Sequence, residues 1–267
     1  MGRTIDASPQ RPTFTGWLLR RLARSAAQCL AASFLLFLLI QALPGDAATA
    51  SALRNGAAAV EAARARMGLD RPVLERYLEW VAGILRGDPG TTLITSRPVA
   101  ETITQPVLAS LSLAAVVLLG LVLVTLPVAV ITGARPRHPV SRFLAGISVA
   151  AAAIPEFVVA IALLAVLSVW TRWLPVLSVP GAGRTVWENP VCLVMPALSL
   201  WLVCSASLTR RVQALVATHA AAPYVREAEL AGLTRRRVLS RHLLPSVAPG
   251  VLQLLAQTIP YLLGGAV

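Results

Sequence analysis

Tyr224-Val-Arg-Glu-Ala-Glu-Leu-Ala-Gly-Leu-Thr-Arg-Arg-Arg-Val-Leu-Ser-Arg-His-Leu-Leu-Pro245 is a short, charged, helix-forming hairpin set between two long apolar runs. Pro223 suits the first turn of a helix, and Val225, Ala228 and Ala231 recur at helical spacing beside Tyr224. Gly232 can adopt the left-handed backbone that closes that helix, and Thr234 can cap a second one carrying Arg235, Arg236, Arg237, Arg241 and His242. Pro245 marks entry into the next apolar run. The spacing therefore predicts a compact helical knob on a chain that is otherwise too apolar to be soluble. Its small-residue stripe lets a partner approach closely, and Arg226, Glu227 and Glu229 flank it with charge for register.

Of the 267 residues, 56% are hydrophobic and 13% charged, and the mean hydropathy is +0.70. Those values place the chain in a bilayer. A span needs roughly 20 mostly apolar residues to cross about 30 Å of hydrocarbon. Five stretches qualify: Ser25 to Leu43, Val107 to Gly133, Phe143 to Trp170, Val191 to Thr209, and Leu243 to Val267. The fold class expected is all-α, a polytopic transmembrane helical bundle.

All 24 basic residues are Arg, and the net charge is +12. Arg-rich short loops stay on the cytoplasmic side. Residues 1 to 24 carry five Arg against Asp6, residues 134 to 142 carry Arg135, Arg137 and Arg142 with no acid, and residues 210 to 242 carry seven Arg against Glu227 and Glu229. Residues 44 to 106 balance seven Arg with seven acids. Every alternate loop agrees, which predicts a cytoplasmic N-terminal segment 1–24, a transmembrane domain 25–267, an external cap 44–106 and a cytoplasmic hairpin 223–242. The positive charge is then a consequence of topology and calls for no nucleic acid. A DNA-reading helix-turn-helix fits poorly, since both arms of the hairpin are tied to the membrane by short connections. An anionic-lipid patch accounts for the Arg cluster but leaves the small-residue stripe and the glycine unexplained. The first apolar run, at 19 residues, exceeds the core of a cleaved signal peptide, about 7 to 15.

Within the cap, a helical pattern over Val60 to Met67 is followed by Gly68-Leu69-Asp70-Arg71-Pro72 and an amphipathic stretch from Val73 to Leu85. Leu74, Tyr77, Leu78, Val81 and Leu85 share its apolar face. Periodicity leaves open whether that face belongs to an ordered external cap or lies on a membrane surface. Prolines 127, 155, 196, 249 and 260 interrupt the spans, which suits a cavity or plain packing accommodation. Glu156, near the middle of a span, costs at least about 2.5 kcal/mol unless it meets water or a partner. Gln253 and Gln257, four residues apart on one face, either line a path or bond a neighbouring helix. Glu156, Gln253 and Gln257 are thus the pathway candidates. Cys29, Cys192 and Cys204 form no metal or disulfide pattern.

The hairpin resembles the hallmark of the inner-membrane permease subunits of ABC importers, Glu-Ala-Ala, three residues, Gly, then Leu-Pro at fixed distance. Glu227-Ala228-Glu229, Gly232 and Leu244-Pro245 follow that order, with Glu229 in place of the second Ala and two residues, Leu230 and Ala231, before the glycine. Tyr224-Val-Arg, Ala231-Gly-Leu and Arg241-His look like the dipeptide, oligopeptide and nickel branch. Leu43-Pro-Gly-Asp46, Gly68 to Pro72 with Tyr77 and Trp80, Gly87-Asp88, Arg97-Pro-Val99, and Ile154-Pro155 with Phe157 agree with it. Two departures stand out. Pro245-Ser246 occupies the place of a frequent Arg-Asn, and relatives continue past a Gly-Gly-Ala-Val like that at Gly264 to Val267 into a sixth span. Five spans are expected in this chain, with the family's sixth missing.

The resemblance implies a second, homologous permease subunit, two cytoplasmic ATPase subunits and an external solute-binding protein. The implied location is the inner membrane, and the cargo a peptide or related small solute. Tyr224, Arg226, Glu227, Ala228, Gly232 and Leu233 would meet the ATPases. No Gly-x-x-x-x-Gly-Lys-Ser/Thr loop occurs, so no cofactor or catalytic residue is expected here, ATP being bound by the partners. Two competing readings use Glu156: a proton-coupled secondary transporter, and a membrane-embedded enzyme pairing it with a histidine.

Overall fold

The computed structural model describes residues 14–42, 48–49, 56–93, 95–176 and 186–264. The Leu43 to Asp46 motif, residues 1–13 of the N-terminal segment and the last three residues lie outside that set. The chain forms two compact units, residues 1–103 and 104–267; among the described residues the regular elements are helices.

In the first unit, α1 runs from Phe14 to Ala42 and buries none of its residues. It starts eleven residues before the expected span, because Phe14 to Arg24 contains no strong helix breaker ahead of the apolar run. Helices α2, Ala57–Arg66, and α3, Val73–Leu85, are joined through Gly68 at φ +62°, a left-handed turn that favours glycine. The amphipathic stretch read from the sequence coincides with α3. Its Tyr77 is buried between Phe34 and Phe37 of α1, with ring centroids 4.9 and 5.6 Å away. Past α3, Thr91 and Pro98 form an isolated antiparallel bridge.

Starting at Val99 in the last residues of the first unit and leading into the second, α4 (Val99–Gly120), a π-turn (Leu121–Thr125) and α5 (Leu126–Gly133) make one span of 35 residues. The wide turn has a local cause. Pro127 cannot donate a backbone hydrogen bond and its ring crowds the preceding turn, so the helix admits an extra residue just before it. The same device recurs at Leu239–Leu243, two residues before Pro245.

The stretch expected as a single third span, Phe143 to Trp170, is instead two helices, α6 (Pro139–Ala152) and α7 (Glu156–Leu164, continued by a π-turn to Trp170). They are bent by 98°. Pro155 excludes Ile154 from ready continuation of the helix and takes an extended backbone itself, ψ 141°, which ends α6. Glu156 is thereby the first residue of α7, at a vertex and not inside an unbroken span. With this pair counted as one, the helices long and apolar enough to cross a membrane number up to five among the described residues.

The centre of this unit is α8, Val191–Ala220, which buries ten of its residues. Leu208, Val212 and Val216 form a core with Val117 and Leu121 on one side and Leu243, Val247 and Leu262 on another. The helix runs eleven residues past the expected end at Thr209, through Arg210 and Arg211, because nothing before Pro223 breaks it. Two glycines let neighbours come close. A Cβ on Gly133 would meet Val216 Cβ at 2.9 Å and Gln213 Cα at 3.0 Å, and one on Gly250 would meet Leu215 Cδ2 at 2.8 Å. At the first crossing Gln213 Nε2 donates to Thr132 Oγ1 at 2.7 Å. Small residues with an interhelical hydrogen bond are what drives helix association where lipid is as apolar as leucine.

Candidate functional site

Helix α9, Pro223–Leu230, begins with proline in its first turn, where the missing N–H is no loss. It ends in a Schellman arrangement: Leu233 N donates to Ala228 O at 3.2 Å and Gly232 N to Glu229 O at 3.0 Å, with Gly232 at φ +80°. Any side chain at position 232 would be strained by that backbone alone, since the space around it is open.

The helix has two faces, and one of them reverses an expectation. Val225 and Ala228 are buried, 5% and 9% exposed, within the same core as Val216, Val238 and Leu243. Val225 and Ala228, two of the three residues in the stripe that spacing offered to a partner, are turned inward, because they meet the ends of the long helices before anything else can reach them, while Ala231 stays outside. Ala228 is therefore a packing residue of the hairpin, and Leu233, half-buried, joins it. What faces outward is Arg226, Glu227, Glu229, Ala231 and Gly232, with Leu230 81% exposed. Among the described residues Arg226, Glu227 and Glu229 form no ion pair.

Two side chains fasten the knob. Tyr224 Oη lies 2.7 Å from Ser246 Oγ, and Ser246 Oγ donates to Leu243 O at 2.8 Å. Since the serine has a single proton, the tyrosine is the donor of the first bond. Arg235 Nη2 donates to Ala134 O at 3.0 Å, placing a cation at the C-terminus of α5, where the helix carbonyls favour it. The second arm, α10 (Arg235–Val238), passes through the π-turn directly into α11, Leu244–Gly264. Pro245 does not separate knob from span as the sequence predicts. Arg235 to Gly264 is one 30-residue rod. Thr234 holds the N-cap position of α10 but makes no side-chain capping bond.

The pathway candidates lie in the same unit. Glu156 Oε2 accepts a short hydrogen bond from Tyr261 Oη of α11. The carboxylate lines a cavity of about 290 Å³ with Leu113, Phe157, Ala160, Pro196, Ser199 and Leu200. Gln253 and Gln257 are exposed on α11, and at i, i+4, i+8 they share a strip with Tyr261. Among the described residues neither hydrogen-bonds a neighbouring helix. Tyr261 was not singled out in the sequence, where only the four-residue step from Gln257 gave a usable signal, and Arg235 and Ser246 were noted there without these contacts. The three histidines do not assemble with Glu156: His138 caps α6 by accepting from Val140 N, His219 lies 3.4 Å from Tyr224 Oη, and His242 sits in the π-turn before α11.

The family model described as "binding-protein-dependent transport system inner membrane component" matches residues 125–267, and the model for the N-terminal part of such components matches residues 14–114. A probable peptide ABC transporter permease protein of Sinorhizobium fredii is 27% identical over 255 residues, covering 94% of this chain and 80% of that protein. The glutathione transport system permease protein of Escherichia coli K12 is 26% identical over 253 residues, with the same coverage.

Proposed function

This chain belongs to the family of binding-protein-dependent transport system inner membrane components, the permease subunits of ABC importers, and on that footing we propose how its parts serve transport. The hairpin 223–242 lies at the cytoplasmic face, as does the N-terminus, and is the surface gripped by the ATPases. A second permease subunit completes the pathway, two cytoplasmic ATPase subunits bind and hydrolyse ATP, and an external solute-binding protein delivers the cargo. The chain itself carries no cofactor. Its cargo class is a peptide or related small solute, in keeping with the relatives named for peptide and glutathione transport.

The observation that carries this reading is the division of labour on α9. Its inner face is continuous with the core of the long helices, and its outer face presents unpaired charge and an exposed leucine. A push on the outer face therefore moves the hairpin as a body, and α11 with it, which is the mechanical requirement for alternating access. Glu156, Tyr261, Gln253 and Gln257 supply the polar strip of the pathway. An enzymatic role for Glu156 has no support, since no histidine stands beside it to share acid–base work.

The test is co-purification. Glu227→Arg combined with Leu230→Asp alters only outward side chains, and is expected to abolish recovery of the ATPases while leaving the permease inserted and monodisperse. Undiminished ATPase recovery would overturn the assignment. Deletion of Tyr224 to Leu233 gives the same loss by a cruder route.

A further inference from the structure

Helix α3 touches α1 with a single turn, yet that turn reaches over a long stretch of its neighbour. Tyr77 Oη donates to Leu30 O at 3.0 Å and lies 2.7 Å from Ser33 Oγ. Its ring packs on Phe34 and Phe37, Trp80 approaches Phe37 at 6.4 Å, and Arg76 Nη1 donates to Gln41 Oε1 at 3.2 Å while its guanidinium lies over the Phe37 ring. Five residues of one helix against twelve of another means that the two cross and do not run side by side.

The depth of the crossing follows from α1. Residues 25 to 42 contain no charge; at about 1.5 Å per residue that run measures roughly 27 Å, close to the hydrocarbon thickness of about 30 Å. Phe37 and Phe34 lie five and eight residues from the Ala42 end, which is about 8 to 12 Å along the axis. A helix lying in the plane of a membrane rests with its apolar face about 5 to 10 Å into the boundary between headgroups and acyl chains. The ring contacts of α3 with Phe34 and Phe37 sit near that level, while the Tyr77 hydroxyl reaches deeper, to Leu30, about 18 Å from the Ala42 end.

The rest of α3 suits the same place. Leu74, Leu78 and Leu85 form one stripe and are 57%, 57% and 83% exposed among the described residues. Tyr77 and Trp80 are the residue types that settle at membrane interfaces. The charges are internally neutralised: Arg71 makes two hydrogen bonds of 2.7 and 2.6 Å to Glu79 and lies 3.6 Å from Glu75, and Arg76 is directed to Gln41 and Phe37.

We propose that α3 is an in-plane membrane helix in the leaflet at the Ala42 end of α1, with Leu74, Leu78 and Leu85 against lipid acyl chains and Arg71, Glu75 and Glu79 toward the headgroups. The segment read from its charge balance as an external cap is then partly a lipid-seated collar around the first span. This goes beyond the permease assignment and does not rest on the hairpin.

The test uses the assembled transporter in phosphatidylethanolamine/phosphatidylglycerol nanodiscs. Single cysteines at 74, 78 and 85, and at 75 and 79, carry a nitroxide in a background with Cys29, Cys192 and Cys204 replaced by Ala. Labels at 74, 78 and 85 are expected to collide several-fold more with oxygen, which concentrates in acyl chains, than with a water-borne nickel chelate. The order should reverse at 75 and 79. Preference for the chelate at all five positions would overturn the proposal in favour of an aqueous cap, and shielding of 74, 78 and 85 from both reagents would overturn it in favour of a protein partner. Hydroxyl-radical footprinting of the unsubstituted transporter reads the same face: protection of the three leucines in nanodiscs supports lipid contact when the oxygen preference is also seen, and their oxidation refutes it. Neither readout involves ATP or cargo, so failure here leaves the hairpin assignment standing.

Discussion

Replacing Gly133 by alanine puts one methyl group into the close crossing of α5 and α8. The new Cβ would stand 2.9 Å from Val216 Cβ and 3.0 Å from both Gln213 Cα and Gln213 O. All three obstacles are backbone or the first carbon of a side chain, so no rotamer change relieves them. Ordinary carbon contacts are about 3.5 to 4.0 Å, and α5 must therefore retreat from α8 by roughly 0.5 to 1 Å. That retreat stretches the 2.7 Å bond from Gln213 to Thr132 toward the limit of a useful hydrogen bond. Overpacking of this kind costs about 1 to 3 kcal/mol and the weakened bond about 0.5 to 1.5 kcal/mol. The helix propensity of alanine over glycine returns about 1 kcal/mol. Net destabilisation of about 0.5 to 3.5 kcal/mol is expected. Gly146, within α6, has nothing within 4 Å of its would-be Cβ, so Gly146→Ala is expected to be neutral or stabilising by up to about 1 kcal/mol. Equilibrium unfolding in mixed SDS–detergent micelles compares the two. Were Gly133→Ala to resist unfolding as well as Gly146→Ala, the claim of close-packed α5 and α8 would be wrong.

Two further expectations concern polar contacts. Tyr224→Phe removes the donor to Ser246 and should cost about 1 kcal/mol, seen as faster amide exchange in residues 223–233 with membrane insertion unaffected; unchanged exchange would refute the fastening role. Hydrogen bonds from Arg71 hold the Glu79 carboxyl below its ordinary value, so the stability contributed by this pair is present above the usual carboxylate range and is lost as pH falls through the depressed value. Glu79→Gln should accordingly flatten the acid limb of proteolytic protection across α3, and an identical acid limb in both proteins would count against the pair.

Much of the scaffold was readable in the order of residues, and the misses have physical causes. Val73 to Leu85 was legible because its period is that of a helix and because Pro72 and Gly87 bound it. The closure of α9 was legible because few residues other than glycine tolerate the backbone of Gly232. Pro155 announced an interruption, but a proline gives no angle; the 98° turn depends on how α6 and α7 pack on α8. Spacing identified Val225 and Ala228 as sharing a face, yet periodicity cannot say which side of a helix is already occupied. Charge balance set residues 44–106 apart from the spans, while the long reach of Tyr77 to Leu30 depends on tertiary contact and leaves no local mark. Of the pathway candidates, Glu156 was conspicuous for its charge in an apolar run, whereas its partner Tyr261, an ordinary aromatic near a span end, was not.

The unbroken rod from Arg235 to Gly264 carries an obligation in the reverse direction. If ATPases grip the hairpin as proposed, the coupling between that grip and a solute bound near Tyr261 is symmetrical in binding terms. On that proposal a solute settling beside Tyr261 and the two glutamines would alter how tightly the ATPases hold the knob, and a loaded pathway would report its own occupancy through the same thirty residues.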